Sequence, residues 1–300
     1  MEQELRKILE SVEGEVGLSV LDIDGGVLFQ HNADIPFPMA SVCKVPILAT
    51  AYASDIPLTE RIEFTDSAKC LGSGLFSAFS AGINPTLYDL LLMMIVVSDN
   101  AATDIVLNRV GMPAVNKLTS SFGLSSIRID RTIKELINDC IKEIDPAFDQ
   151  AGTATYRELL EHNPGLKAKA DDQNLSREAV NRATVGRDES SPNDMAKLFL
   201  KIATGDGFSE TATKAMKDIF ECQLLNARLP RYLPQGTKCW HKTGTLGQGA
   251  VVNDSGVLVV KDVPIALVSF FSRNVKSPQL ITERAIGNIA LKVTETLTSG

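Results

Sequence analysis

The chain has 300 residues, 44% of them hydrophobic, with a formal net charge of −7 and a pI near 5.1. An acidic balance excludes a broad basic face for nucleic acid. Mean hydropathy is +0.04 and the longest apolar run, Leu90 to Val97, is eight residues, too short for a helical membrane span.

Five cysteines, at 43, 70, 140, 222 and 239, show neither C-x-x-C nor zinc spacing. They read as reduced thiols, with no metal and no cofactor implied. The segment Met1 to Lys7 is charged and amphipathic rather than a signal peptide. The expectation is a cytoplasmic chain, or a periplasmic or secreted one if a leader has been removed.

In chain order, Leu5, Ile8, Leu9 and Val12 fall at helical spacing and predict an amphipathic helix over 2–12. Residues 15–22 alternate as a strand, Asp24-Gly25-Gly26 reads as a hairpin turn, and Val27 to Gln30 as its partner. Pro36 and Pro38 end that sheet segment, and an apolar helix follows from Ser41 to about Tyr52. Residues 55–85 are turn-rich; Gly72-x-Gly74 lacks the further residues of a phosphate loop. Thr86-x-x-Asp89 is a capping box for a helix ending at Val97. Helices over about 101–110 and 113–122 are closed by Gly111 and Gly123.

The stretch 131–190 is more polar, with helical patches at 133–143 and 153–161, a break at Asn163-Pro164-Gly165, and a charge-rich run from Lys167 to Glu189. Ser191 and Ser209 start two more helices. Strands are expected over 236–243, 249–252, 257–260 and 264–271, with turns at Asn253-Asp254-Ser255-Gly256 and Lys261-Asp262. Ser277-Pro278 opens a last helix. Sheet at both ends and helices between suggest that the ends combine into one sheet domain beside a helical one.

Three short motifs then claim attention: Ser41-x-x-Lys44, Ser98-Asp99-Asn100 and Lys242-Thr243-Gly244. A serine is a poor nucleophile until a neighbour takes its proton, and a lysine desolvated by apolar walls can do so. On a helix, residues 41 and 44 share a face. Each motif alone is common. In this order, on a helix start, a helix–helix turn and a strand, they resemble the class A β-lactamase and penicillin-binding protein superfamily. Gly72-Ser73-Gly74-Leu75, Tyr88-Asp89-Leu90-Leu91 and Thr245 extend the resemblance, which spans most of the chain outside about 132–190.

The resemblance implies an α/β (α+β) fold: an antiparallel five-stranded sheet flanked by the N- and C-terminal helices, plus an all-helical domain. Residues 1–38 and 205–300 would form the sheet domain and 39–204 the helical one, with 132–190 as an atypical insert. It implies a hydrolase in which Ser41 forms an acyl-enzyme with a small-molecule β-lactam or related amide. Lys44 would take the proton, and Ser98, tuned by Lys242, would relay one to the leaving nitrogen. Asn100 would bind the substrate side-chain amide. Lys242, Thr243 and Thr245 would hold its carboxylate, with Gly244 also on the substrate-binding strand. The N–H groups of Ser41 and Thr245 would form the oxyanion hole. Asp99 is expected to be structural, and His241, next to Lys242 on a strand, to face the other way. A Ser-His-Asp triad has little support, with three histidines and no G-x-S-x-G elbow.

The chain departs from the family at the water-activating glutamate. Counting on from Arg128-Ile129-Asp130-Arg131 places Ile133 at that position and Ile137 at the partner asparagine, with Glu135 on a salt-bridge position. Glu158, Glu161, Glu178 and Glu189 are candidate replacements. Without one, the protein would acylate and turn over slowly, as a D-Ala-D-Ala carboxypeptidase-like penicillin-binding enzyme or another peptidase or esterase. A non-catalytic sensing module is a third reading. Arg273 or Arg284 is expected to add a positive charge for a substrate carboxylate. The sequence does not fix the oligomeric state.

Overall fold

The computed structural model describes residues 1–146 and 162–298. The expected helix at 153–161, with Glu158 and Glu161, lies outside the described residues. Helix α1 spans Glu2–Glu10, and strands β1 (Glu15–Leu21) and β2 (Val27–His31) pair antiparallel. Their connection is pinned by Asp22 Oδ1, which accepts from the N–H groups of Asp24 and Gly26. Short β3 (Phe37–Pro38) pairs with β4 (Glu189–Ser190). Helices α2 (Lys44–Ala53), α3 (Leu87–Val96), α4 (Asn100–Val110), α5 (Met112–Ser121) and α6 (Ile133–Ile144) follow β3. Helices α7 (Pro164–Asp171) and α8 (Gln173–Thr184) come before β4, and α9 (Pro192–Thr204) and α10 (Glu210–Glu221) after it. Strands β5 (Thr237–Leu246), β6 (Val251–Val260) and β7 (Val263–Arg273) and helix α11 (Gln279–Thr298) complete the order.

The five-stranded sheet runs β2-β1-β7-β6-β5 and is antiparallel throughout. Alternation splits its side chains between two cores. Val16, Leu18, Val20, Val268 and Phe270 face α1 and α11, where Leu5, Leu9, Ile286, Ile289 and Val293 close over them. Leu267, Phe271 and Val257 face inward against Met195, Leu198 and Phe199 of α9, and that core continues through α2, α3 and α4. Each large side chain fully buried here contributes roughly 1.5–3 kcal/mol. Gly17 allows the close approach of α9: a Cβ there would lie 2.6 Å from the Phe37 ring and 2.8 Å from Pro192.

The charged insert is ordered helix where it is described, since Pro164 starts α7 and Asp172 caps α8 by accepting from Asn174 and Leu175 N–H. One expected turn is absent. Asn253, Asp254, Ser255 and Gly256 lie inside β6, where the three polar residues are fully buried. Each has partners that a turn would not supply. Asn253 donates to Pro38 and Met39 carbonyls, Asp254 meets His241, and Ser255 bonds Ser269. Gly256 is needed because a Cβ would lie 2.4 Å from the Trp240 carbonyl oxygen.

Candidate active site

Ser41 sits on a 3-10 turn, Ala40–Cys43, and α2 begins only at Lys44. The serine is half-buried and the lysine fully buried. Ala40 before it has φ +49°, which bends the chain into the turn. Strand β5, at the sheet edge, crosses this turn with no room to spare. A Cβ on Gly244 would come within 2.7 Å of the Met39 carbonyl and 3.2 Å of the Ser41 nitrogen. The glycine of Lys242-Thr243-Gly244 is therefore a spacing requirement between strand and nucleophile.

The turn between α3 and α4 supplies the second motif. Ser98 adopts φ +56°. Asp99 caps α4 by accepting from Ala102 N–H, and its other oxygen accepts from Leu75 and Phe76 N–H. Asp99 is thus the bolt between the 71–76 loop and α4. Asn100 donates from Nδ2 to the Leu71 carbonyl, and Ser73 Oγ donates to the Ser98 carbonyl at 2.7 Å.

Lys44 Nζ donates to Ser98 O at 2.7 Å, Ser98 Oγ at 2.9 Å and Asn100 Oδ1 at 2.8 Å. None of these bonds goes to Ser41. Lys242 Nζ reaches the same Ser98 Oγ at 3.0 Å and the Thr243 carbonyl at 2.8 Å. Both lysines are fully buried. Burial disfavours the charged ammonium and lowers Lys44 to about 8, nearby acidic groups partly opposing it. Lys242 falls well below the usual lysine range, by burial first and by the Lys44 charge second. Two amines with weakened proton affinity thus share one hydroxyl.

These residues open onto a cleft of about 390 Å³. Ser41, Ser98, Asn100, Thr243 and Thr245 line its polar end. Its other walls carry Ile133, Leu136, Ile137, Ile141 and Ile144 of α6, together with Leu71, Val180 and Leu246. No Asp, Glu or His is among the described residues lining it. Ile133 and Ile137 both line the cleft. Glu135 instead closes the capping box of α6 with Thr132. Glu178 is exposed and pairs with Arg182 at 3.7 Å, and Glu189 Oε1 accepts from Gly186 N–H. Neither lines the cleft, so neither serves as the replacement carboxylate.

Neither arginine expected to add a second positive charge lines the cleft. Arg273 pairs with Glu15 at 2.7 Å beside Phe37, and Arg284 lies with Lys7 and Ser11 on the α1–α11 surface. Arg228, by contrast, reaches the third motif from behind β5 and lies 3.5 Å from Glu283. It is buried, donates to the carbonyls of Gly244 and Asn253, and its Nη2 donates to Thr245 Oγ1. It precedes Lys242 by 14 positions on a separate turn, so no local spacing marks it. His241 faces away from the cleft, bonded to Asp254 at 2.9 Å and Asn226 at 3.1 Å. The insert is tied at its neck by Arg131, which donates to Asp188 Oδ2 at 2.7 Å and Asp139 Oδ2 at 2.6 Å. Among the described residues no cluster suited to a metal ion occurs, and no helix is long and apolar enough to cross a membrane.

A family model described as the β-lactamase enzyme family matches residues 1–297. The chain belongs to this family. It is 24% identical over 297 residues to β-lactamase VEB-1 of Pseudomonas aeruginosa, covering 95% of this chain and 86% of that protein. The crystal structure of a β-lactamase from Sphaerobacter thermophilus superposes with a TM-score of 0.76 at 25% identity, covering 99% and 97% of the two chains. PBP-A, at 20% identity and a TM-score of 0.76 over 99% and 96%, shares the fold. Membership supports a hydrolase and the five-stranded antiparallel sheet with its helices.

Proposed function

We propose that this family member is a serine acyl-transfer hydrolase that opens a β-lactam or a related amide through Ser41 and clears the acyl-enzyme slowly. The single observation that carries the reading is the sharing of Ser98 Oγ by two fully buried lysines at the mouth of the cleft holding Ser41. In the acylation step, Ser41 Oγ attacks the carbonyl carbon and the Oγ–C bond forms. The Ser41 proton passes to the neutral amine of Lys44, a base matched to near-neutral pH by its burial. As the C–N bond breaks, Ser98 gives its proton to the leaving nitrogen and takes one back from a lysine. The N–H groups of Ser41 and Thr245 donate hydrogen bonds to the developing oxyanion. Asn100 orients the substrate, and Thr243, Thr245 and Arg228 offer donors and positive charge to a carboxylate beside the scissile nitrogen.

Slow clearance is favoured by the apolar α6 wall. A water attacking the ester needs a base, and the described cleft wall at Ile133 and Ile137 offers only apolar side chains. The penicillin-binding, carboxypeptidase-like reading therefore describes this site better than fast β-lactam hydrolysis. The test is a time course of intact mass with a penicillin, beside Ser41→Ala. A lasting adduct on the wild type alone is expected. Rapid product release without an adduct would overturn slow clearance, and no Ser41-dependent adduct or product would overturn the acyl-enzyme reading.

A further inference from the structure

Helix α6 presents an unbroken apolar stripe into the cleft. Ile133, Leu136, Ile137, Cys140, Ile141 and Ile144 follow the i, i+3, i+4 pattern of one helix face. From first to last they span about 16 Å at the rise of an α-helix. The stripe starts at the active serine's partners: a Cβ on Gly72 would meet Asn100 Nδ2 at 2.7 Å and Ile137 Cδ1 at 3.6 Å. Gln248, whose Nε2 donates to the Ala170 carbonyl at 2.7 Å, lines the same cleft.

Residues lining this trough fall into two small clusters, both of which include residues of α6. Ile137, Ile141 and Ile144 pack with Leu71 and Leu166, whereas Cys140 packs with Ala40, Val180 and Leu246. The space between them is continuous with Ser41. An apolar wall without a charged or carboxylate group favours a ligand that is itself apolar and long. In the acyl-transfer reading the polar donors Ser98, Thr243 and Thr245, with Arg228 behind Thr245, serve the leaving group. The trough is then left for the acyl side of the scissile bond.

We infer that the acyl group transferred to Ser41 is a linear aliphatic chain laid along the α6 stripe. The substrate class is an acyl amide with a lipophilic acyl chain and a carboxylate one carbon from the leaving nitrogen, such as an N-acyl amino acid. This inference rests on the acyl-enzyme reading above and adds the identity of the acyl group. Burying a methylene favours binding by a factor of about 2–4 when most of its surface is covered.

The experiment uses S-acyl thioglycolates, whose carboxylate sits one carbon from an activated leaving sulfur, with acetyl, butyryl, octanoyl and dodecanoyl chains. Thiol release and the Ser41 adduct mass are followed in the full-length protein, with a penicillin as a parallel acylating agent. The second-order acylation constant is expected to be at least thirtyfold larger for octanoyl than for acetyl. Val180→Trp, which fills the trough, is expected to shrink that ratio to within threefold of unity. A flat chain-length series with penicillin still acylating Ser41 overturns the trough inference and leaves the acyl-enzyme reading standing. A rising series on the wild type that Val180→Trp, still folded by circular dichroism, leaves intact also overturns the placement. If neither thioesters nor penicillin label Ser41, both readings fall.

Discussion

Lys44 and Lys242 donate to one and the same oxygen, Ser98 Oγ, at 2.9 and 3.0 Å. They come from a helix start and an edge strand almost two hundred positions apart in the chain, and both are sealed from solvent. Burial lowers the proton affinity of both, and the Lys44 charge further weakens the hold of Lys242 on its proton. A hydroxyl accepting from two such amines is placed to give up its own proton and be refilled.

Acylation should therefore depend on a lysine that is neutral near physiological pH. The rate of adduct formation with penicillin is expected to rise with pH through about 8, where Lys44 loses its proton. Lys44→Met should lower the rate by about 10²–10⁴-fold, the usual contribution of a general base, and remove that limb. The depressed value also predicts a stability effect. The folded state prefers the neutral amine, so stability rises as pH climbs from about 8 to the ordinary lysine value of 10.5. Urea denaturation of wild type and Lys44→Met at pH 7 and 10 should show their difference changing in the wild type's favour. A pH limb unchanged in Lys44→Met would remove Lys44 as the base.

Arg131 and Asp188 close the neck of the insert, and Asp188 also accepts from the N–H groups of Asp130 and Arg131. The arginine side chain is 2% exposed and the aspartate 10%. Removing one partner leaves a nearly buried charge uncompensated, at a cost of roughly 3–5 kcal/mol. Arg131→Ala is expected to lower the unfolding free energy by that amount and to make the insert the first site of limited proteolysis. Urea denaturation and mapping of the cleavage sites by mass spectrometry read both effects. A change within 1 kcal/mol would mean that the neck is held elsewhere.

Much of this was legible in the sequence, and what was not has a common cause. The Thr86–Asp89 capping box, the helix starts at Ser191 and Ser209, and the helical patch at 133–143 are local signals and stand as read. So do the three motifs whose residues meet at Ser98. Turn-forming residue types misled at 253–256, where Asn, Asp, Ser and Gly satisfy a buried network inside β6 rather than a bend. Arg228 escaped notice because its role comes from a turn packed across β5 and β6, a relation with no sequence spacing. Asp104 escaped for the same reason: it reaches from α4 to the first N–H groups of α6.

That Asp104 carboxylate accepts from Ile133 N–H at 2.6 Å and Lys134 N–H at 2.9 Å. Burial nonetheless lifts it from 3.8 to about 6, with the two backbone bonds opposing. A carboxyl raised in the folded state favours folding in its protonated form, so its stabilisation is lost as pH rises from about 4 through 6. The size is on the order of 2–3 kcal/mol. Asp104→Asn should therefore be least stable relative to wild type at pH 4, with the gap narrowing or reversing by pH 7. Urea unfolding of both proteins at pH 4, 5, 6 and 7 gives the difference directly. A difference constant across that range would contradict the raised value.

Ile133 is where the missing carboxylate can be restored. It is the first residue of α6, its side chain lines the cleft, and the positive end of the helix dipole favours an anion there. Ile133→Glu places a carboxylate among apolar neighbours next to Asp104, two influences that raise its proton affinity toward that of a working base. The variant is expected to shorten the lifetime of the penicillin adduct at least tenfold while leaving the acylation step within a few-fold of wild type, because Lys44 and Ser98 are untouched. It should also cost about 1–3 kcal/mol of stability from the buried polar group. Intact-mass decay after removing free penicillin measures the lifetime, and thermal unfolding measures the cost. An adduct as durable as in the wild type, on a variant that still folds and acylates, would mean that the attacking water rather than its base is excluded by the α6 wall. Ile137→Asn in the same background would then be expected to admit the water and release the adduct.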